Sequence, residues 1–130
     1  MSSGILDSSV LIDCLRGHAG AVAFLRSHTV VIGGPPTTHL LVVAELYAGA
    51  RDARELRAVQ SFLAPFQLTV PNERDGLAAL DLFRQHRLSH GVDWPDCQIA
   101  ATALRLSVEV LTLNVKHFSA FPGLRVVRPY

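Results

Sequence analysis

Gly4-Ile5-Leu6-Asp7-Ser8-Ser9-Val10-Leu11-Ile12 carries two kinds of periodicity within nine residues. Gly4 to Asp7 is a short apolar run that ends at an acid and reads as a strand. Ser8 or Ser9 can then cap a helix in which Leu11, Cys14 and Leu15 recur at i, i+3 and i+4, stopped by Gly17. A strand feeding directly into a helix is half of a βαβ unit, and the rest of the chain repeats the alternation. A second short helix is expected over Ala19 to Ser27. Val30-Val31-Ile32 reads as a buried strand, and Gly33-Gly34-Pro35-Pro36 as a break. A helix opening at Thr37, Thr38 or His39 runs to about Ala50, and another covers Asp52 to Leu63. Gln67 to Val70 is a third strand.

Asn72 with Asp75 three positions later marks a further helix start, and Leu77, Leu80 and Phe83 are its expected buried stripe. Pro95 to Leu106 is helical, with Ile99, Ala103 and Leu106 on one face. Val108 to Leu113 is a strand, Val115 to Phe121 a short helix, and Leu124 to Val127 a last strand. Strands separated by helices imply an α/β fold: a central parallel sheet of four to five strands between helical layers. The site of such a fold lies beyond the carboxyl ends of the strands, where strand order reverses.

The composition agrees with one folded unit spanning residues 1–130. The chain is 130 residues long, 49% hydrophobic and 18% charged, which suits a globular domain rather than a disordered segment. A net charge of +1 offers no broad electrostatic grip on nucleic acid, so such a partner must be held locally or through metal ions. Cys14 and Cys97 are the two cysteines and form no metal-binding spacing, so a reducing cytoplasm is the expected compartment. No apolar run approaches the ~20 residues of a membrane span, and no secretory signal is expected at Met1 to Asp7.

The candidate chemistry lies in acids placed after strands and within an apolar helix. Asp7 alone reads better as a helix cap than as a ligand or nucleophile at the carboxyl edge of the sheet. Glu45 is the one charged residue in Leu40-Leu41-Val42-Val43-Ala44-Glu45-Leu46-Tyr47-Ala48, so it is expected to be enclosed or at the lip of a cleft. There it must pair with an arginine, take up a proton or find a cation. Asp93 and Asp96 bracket Trp94-Pro95 at a helix start, where both also suit capping and the helix dipole. Asn114 follows the strand in Thr112-Leu113-Asn114 and is readable as a turn residue. Brought together, Asp7, Glu45, Asp96 and Asp93 or Asn114 would form an all-oxygen cluster that needs a cation. Hard oxygen ligands select Mg²⁺, with Mn²⁺ able to substitute. Without a catalytic cysteine, a nucleophile elbow or a phosphate-binding glycine loop, metal-assisted phosphodiester hydrolysis is the leading chemistry.

Four segments also resemble the PIN-domain family, and within it the VapC-type toxins of prokaryotic toxin–antitoxin pairs. They are Ile5-Leu6-Asp7-Ser8-Ser9-Val10-Leu11-Ile12, Val43-Ala44-Glu45-Leu46-Tyr47-Ala48-Gly49, Asp96-Cys97-Gln98-Ile99-Ala100-Ala101-Thr102-Ala103 and Leu111-Thr112-Leu113-Asn114-Val115-Lys116-His117-Phe118. Their order and spacing extend the resemblance over essentially the whole chain. It implies a PIN-like three-layer α/β/α sandwich and a Mg²⁺-dependent endoribonuclease acting on RNA. It further implies a homodimer inhibited by a cognate antitoxin. Asp7, Glu45 and Asp96 match the family's first three acids, and Ser9 its small hydroxyl residue two positions after the first. The fourth acidic position falls at or near Asn114, an amide, so Asp93 is the candidate to supply the missing charge, with Ser9, Asn114 and Thr112 in support. Leu40 and Leu41 also depart from the pattern, which often has Ser or Thr before the glutamate.

Competing readings bound this one. Phosphatases that form an aspartyl-phosphate want a second Asp where Ser9 stands, and phospho-receivers want a late lysine that Lys116 does not clearly supply. A decayed PIN-like module that binds protein or RNA without cutting is the principal alternative. Arg51, Arg54 and Arg57, interleaved with Asp52 and Glu55, read as a solvated, ion-paired helix face. His117 beside Phe118 reads as a structural turn residue, and Cys97 as a small buried side chain. The apolar surplus of the first two helices, with Leu56, Val59 and Leu63, predicts a hydrophobic groove or a dimer face.

Overall fold

A computed structural model describes residues 4–130. Five strands form one parallel sheet: β1 (Ile5–Leu6), β2 (Thr37–His39), β3 (Gln67–Thr69), β4 (Val110–Leu111) and β5 (Val126–Val127), in the order β3-β2-β1-β4-β5. The helices between them are α1 (Ser8–Leu15), α2 (Ala19–Ile32), α3 (Leu40–Ala48), α4 (Ala53–Leu63), α5 (Glu73–His90), α6 (Trp94–Leu106) and α7 (Val115–Phe118). Successive strand residues point to opposite faces, and Ile5, Leu6, Val110 and Leu111 are all buried, so the central strands are covered on both sides. Helices flanking a parallel sheet are the expected α/β architecture.

Strand order reverses between β1 and β4. The chain builds outward from β1 through β2 to β3, then returns to the other side of β1 for β4 and β5. The carboxyl ends of β1 and β4 therefore lie side by side, and Asp7 and Thr112 are the residues that follow them. This is the position at which open parallel sheets form their sites.

Two sequence expectations give way here. Val30-Val31-Ile32 is not a strand: α2 continues through it, and Val30 and Val31 are 80% and 60% exposed. Gly33, in the left-handed conformation at φ 71°, ends the helix instead. The buried strand is Thr37-Thr38-His39, expected to open a helix. Its polar side chains are satisfied inside: the Thr38 hydroxyl donates to the Leu6 carbonyl at 2.7 Å, and His39 bonds Thr102 at 3.0 Å. Hydrogen-bonded polar residues can occupy a buried strand that hydropathy alone assigns elsewhere.

The phase of α5 also differs. Asn72 and Asp75 form the expected capping box, each side chain accepting the other's backbone N–H. Leu77 and Leu80 nevertheless face outward, 65% and 57% exposed, while Asp75 and Ala79 are buried and Leu82 and Phe83 pack on the core. A bidentate bond from Arg105 to Asp75, at 2.8 and 2.9 Å, turns an acid inward and rotates the leucines out. On α6, Ile99 and Ala103 are buried as expected, whereas Leu106 at the helix end is 41% exposed.

Candidate metal centre

Asp7 stands at the N-cap position of α1, but its carboxylate makes no cap bond. Its Oδ2 accepts the Thr112 hydroxyl at 2.7 Å and that of Ser9 at 3.3 Å. The two hydroxyls are held in turn by backbone N–H groups, Leu113 donating to Ser9 at 3.0 Å and Asn114 to Thr112 at 2.9 Å. Asp7 is 5% exposed, and this lattice fixes its carboxylate while engaging one oxygen. The cap reading open in the sequence is therefore not the role this side chain fills.

Glu45 enters from α3. That helix is not buried all round, as its composition suggested: only Val42 and Leu46 are, and Glu45 lies at an exposed lip. Its Oε2 accepts the Ser8 hydroxyl at 2.9 Å. Partial burial is the main influence raising the Glu45 pKa, opposed by the Ser8 bond and reinforced by the negative charges of Asp7 and Asp93. The Arg51 that shares its cleft bonds Glu55 instead, at 2.8 and 3.1 Å.

Asp96, in the first turn of α6, is the most perturbed carboxyl of the group. Burial pushes its pKa up to about 6, Asp7 and Asp93 add to the rise, and His117 counteracts it. A helix N-terminus alone would favour the ionised acid, so burial and like charge outweigh it here. Asp93, at the N-cap of the same helix, makes no side-chain cap bond. It is largely exposed and paired with Arg87 at 3.0 Å, and the same guanidinium holds the Val92 carbonyl at 3.1 Å.

The fourth strand's end brings two further residues. Asn114 does not cap α7; its amide lies 3.0 Å from Nδ1 of His117. That nitrogen is also 3.7 Å from Oδ2 of Asp96, so His117 faces the acids rather than filling a purely structural turn. The helix α7 is four residues long, too short for a periodicity that could have revealed this. Ser8, weighed in the sequence only as a cap, holds Glu45. Cys97 is buried with its thiol pushed up to about 11, first by burial and then by Asp96 and Asp93, as befits an inert side chain.

The charges of Asp7 and Asp93 thus act on both Glu45 and Asp96, and among the described residues no lysine or arginine pairs with Asp7, Glu45 or Asp96. Among the same residues, no three of His, Cys, Asp and Glu converge closely enough to enclose an ion. Mg²⁺ does not require such a cage, because it keeps several waters and is held by one or two carboxylates. An all-oxygen donor set carrying uncompensated negative charge fits that ion in charge and hardness.

From Glu45 a cleft of about 630 Å³ extends between α1, α3 and α4, with Ile12, Leu15, Leu46 and Val59 in its lining and Arg16 and Arg51 beside them. Neither Asp7 nor Asp96 lines it. No helix among the described residues is long and apolar enough to cross a membrane.

The comparisons with known proteins agree with this architecture. The PIN domain matches residues 4–124. Ribonuclease VapC19 of Mycobacterium tuberculosis H37Rv is 36% identical over 122 residues, covering 93% of this chain and 96% of the relative. Ribonuclease VapC10 of the same organism is 38% identical over 122 residues, covering 93% and 90%. A solved toxin–antitoxin complex from Klebsiella pneumoniae contains a chain that superposes with a TM-score of 0.78 at 26% identity, covering 98% of both chains. The chain belongs to the PIN-domain family, and VapC ribonucleases are among its homologues.

Proposed function

We propose that this protein is a Mg²⁺-dependent endoribonuclease, the toxin of a toxin–antitoxin pair, which hydrolyses RNA phosphodiester bonds in the cytoplasm. The observation that carries the reading is that Asp7, at the β1–β4 junction, and Glu45 and Asp96, whose pKa values are raised, have no lysine or arginine partner among the described residues. Likeness to VapC ribonucleases over 93% of the chain supports the substrate class.

Asp7, Asp96 and Glu45 would hold the metal, which when bound supplies an activated water and neutralises charge on the phosphate. Thr112 and Ser9 keep Asp7 in one rotamer, and Ser8 restrains Glu45. His117 borders Asp96 and is itself bonded to Asn114, and Asp93 adds negative charge from the helix start. These groups do not themselves attack the phosphate: they orient the ligands and sustain the field that attracts a cation.

A cognate antitoxin is the inhibiting partner in this reading, supported by the likeness to a chain from a toxin–antitoxin complex. The cleft beginning at Glu45 offers such a partner an apolar floor with one of the candidate acids at its lip. A homodimer is the assembly proposed.

The test is purified protein on total cellular RNA with Mg²⁺ or Mn²⁺, with EDTA, and with Asp7→Asn. Metal-dependent fragments absent from the variant are expected. No cleavage together with no Mn²⁺-dependent thermal shift would favour a decayed binding module instead.

A further inference from the structure

Behind the acidic edge, His39 is fully buried in a polar chain that the chemistry above leaves unused. It is the last residue of β2 and caps α3, its Nδ1 accepting the Leu41 N–H at 3.1 Å. That bond assigns the ring proton to Nε2, which donates to Oγ1 of Thr102 on α6 across 3.0 Å. Thr102 donates onward to the Gln98 carbonyl at 3.0 Å or to Oδ2 of Asp75 at 3.2 Å, and Arg105 clamps both oxygens of Asp75. Burial lowers the imidazole pKa to about 4 against the pull of Asp75, which keeps the ring neutral and its two nitrogens in distinct roles.

The two elements this ring joins carry two of the candidate ligands: Glu45 rides on α3, and Asp96 opens α6. Val42 and Leu46 seat α3 on the core, and to that non-directional packing the His39–Thr102 bond adds a directional tie to α6. A serine or asparagine would cap α3 equally well, but neither reaches Thr102. What imidazole adds is that second bond.

We infer that His39 is a positioning residue, its imidazole tying the start of α3 to Thr102 of α6 and thereby setting Glu45 against Asp96. The inference rests on the metal-site reading above and goes beyond it in naming what aligns the ligands.

Mn²⁺ titration calorimetry on the whole chain tests it, comparing the parent with His39→Asn, Thr102→Val, Glu45→Gln and His39→Asn/Glu45→Gln. Asparagine keeps the cap acceptor and loses the reach; valine keeps the shape of threonine and loses the hydroxyl. Each of the first two variants is expected to weaken Mn²⁺ binding about tenfold, the usual scale for a group that orients a metal ligand. His39→Asn should add no further loss once Glu45 is glutamine. Parental affinity in both His39→Asn and Thr102→Val would overturn the inference, as would an equal loss in the Glu45→Gln background, which marks a general structural effect. If circular dichroism finds His39→Asn unfolded, Thr102→Val and its Glu45→Gln double variant decide by the same criterion. A parent that binds no Mn²⁺ contradicts the proposed function itself, and Glu45→Gln with parental affinity removes Glu45 from the site; either result also overturns this inference.

Discussion

The Thr112 hydroxyl donates to Oδ2 of Asp7 at 2.7 Å, joining the residues that follow the two neighbouring strands β4 and β1. This bond crosses the point where strand order reverses, and it links segments 105 positions apart in the chain. Thr112→Val removes the donor while keeping the side chain's shape, and leaves a buried carboxylate short of one partner. We expect RNA cleavage to fall by about 10- to 100-fold and stability by about 1–3 kcal/mol. Thr112→Ser should restore most of both, as measured by cleavage rate and urea unfolding.

Asp96 leads to an opposite pair of effects. Its folded-state pKa of about 6 lies above the ordinary 3.8, so the carboxyl favours the fold only while protonated. That contribution is complete below the unfolded value and is lost as pH rises through about 6. At pH ~7.5 the ionised group therefore opposes the metal-free fold, by about 1–2 kcal/mol after solvent screening. Asp96→Asn should raise the Tm of the metal-free protein at that pH by several degrees while eliminating cleavage. Thermal unfolding in EDTA at pH 7.5 and pH 4 separates the two states, with the gain confined to the higher pH.

The same proton competes with the metal. As pH falls below about 6, Asp96 takes up a proton that a bound cation would have to displace. Apparent Mn²⁺ affinity should then drop by up to about tenfold per pH unit for each proton displaced. Calorimetric titration between pH 5 and 7.5 checks this, and a flat profile would remove Asp96 from the ligand set.

Asp75 offers a stability test remote from the chemistry. Burial alone would raise its carboxyl pKa, yet bonds from Arg105, the Asn72 N–H and Thr102 bring it below the ordinary 3.8. Its side chain is 3% exposed against 36% for Arg105, so Arg105→Met strands a buried charge. We expect a loss of about 2–3 kcal/mol at neutral pH. The pair's contribution is present above the unfolded carboxyl's pKa and is lost as pH falls through the depressed folded value. The difference between parent and variant in urea unfolding should therefore shrink on acidification below about pH 4.

Hydropathy and capping signals reveal most of the architecture because α/β order depends on them. Gly4 to Asp7 reads as a strand and Asn72 with Asp75 as a helix start, and both stand. Val30-Val31 and Thr37-Thr38-His39 mislead for one shared reason: burial in β2 is achieved through hydrogen bonds, and exposure in α2 tolerates β-branched residues. The α5 stripe shifts because an ion pair formed with α6, beyond the reach of local periodicity, sets the helix's phase. The acids were legible as strand-end and apolar-helix anomalies. His39 and His117 were not, since each acquires its role from partners 63 and 21 positions away.

Hydrolysis proposed at the β1–β4 edge would use water as the nucleophile, and the chemistry of the cleaved RNA ends reports which nucleophile attacked. Total RNA incubated with the protein and Mg²⁺ should yield discrete fragments without 2′,3′-cyclic phosphate, because water rather than the neighbouring 2′-hydroxyl attacks the phosphorus. EDTA and Asp7→Asn should each abolish them. Fragments that persist in EDTA, or that end in a cyclic phosphate, would rule out metal-dependent hydrolysis at these acids.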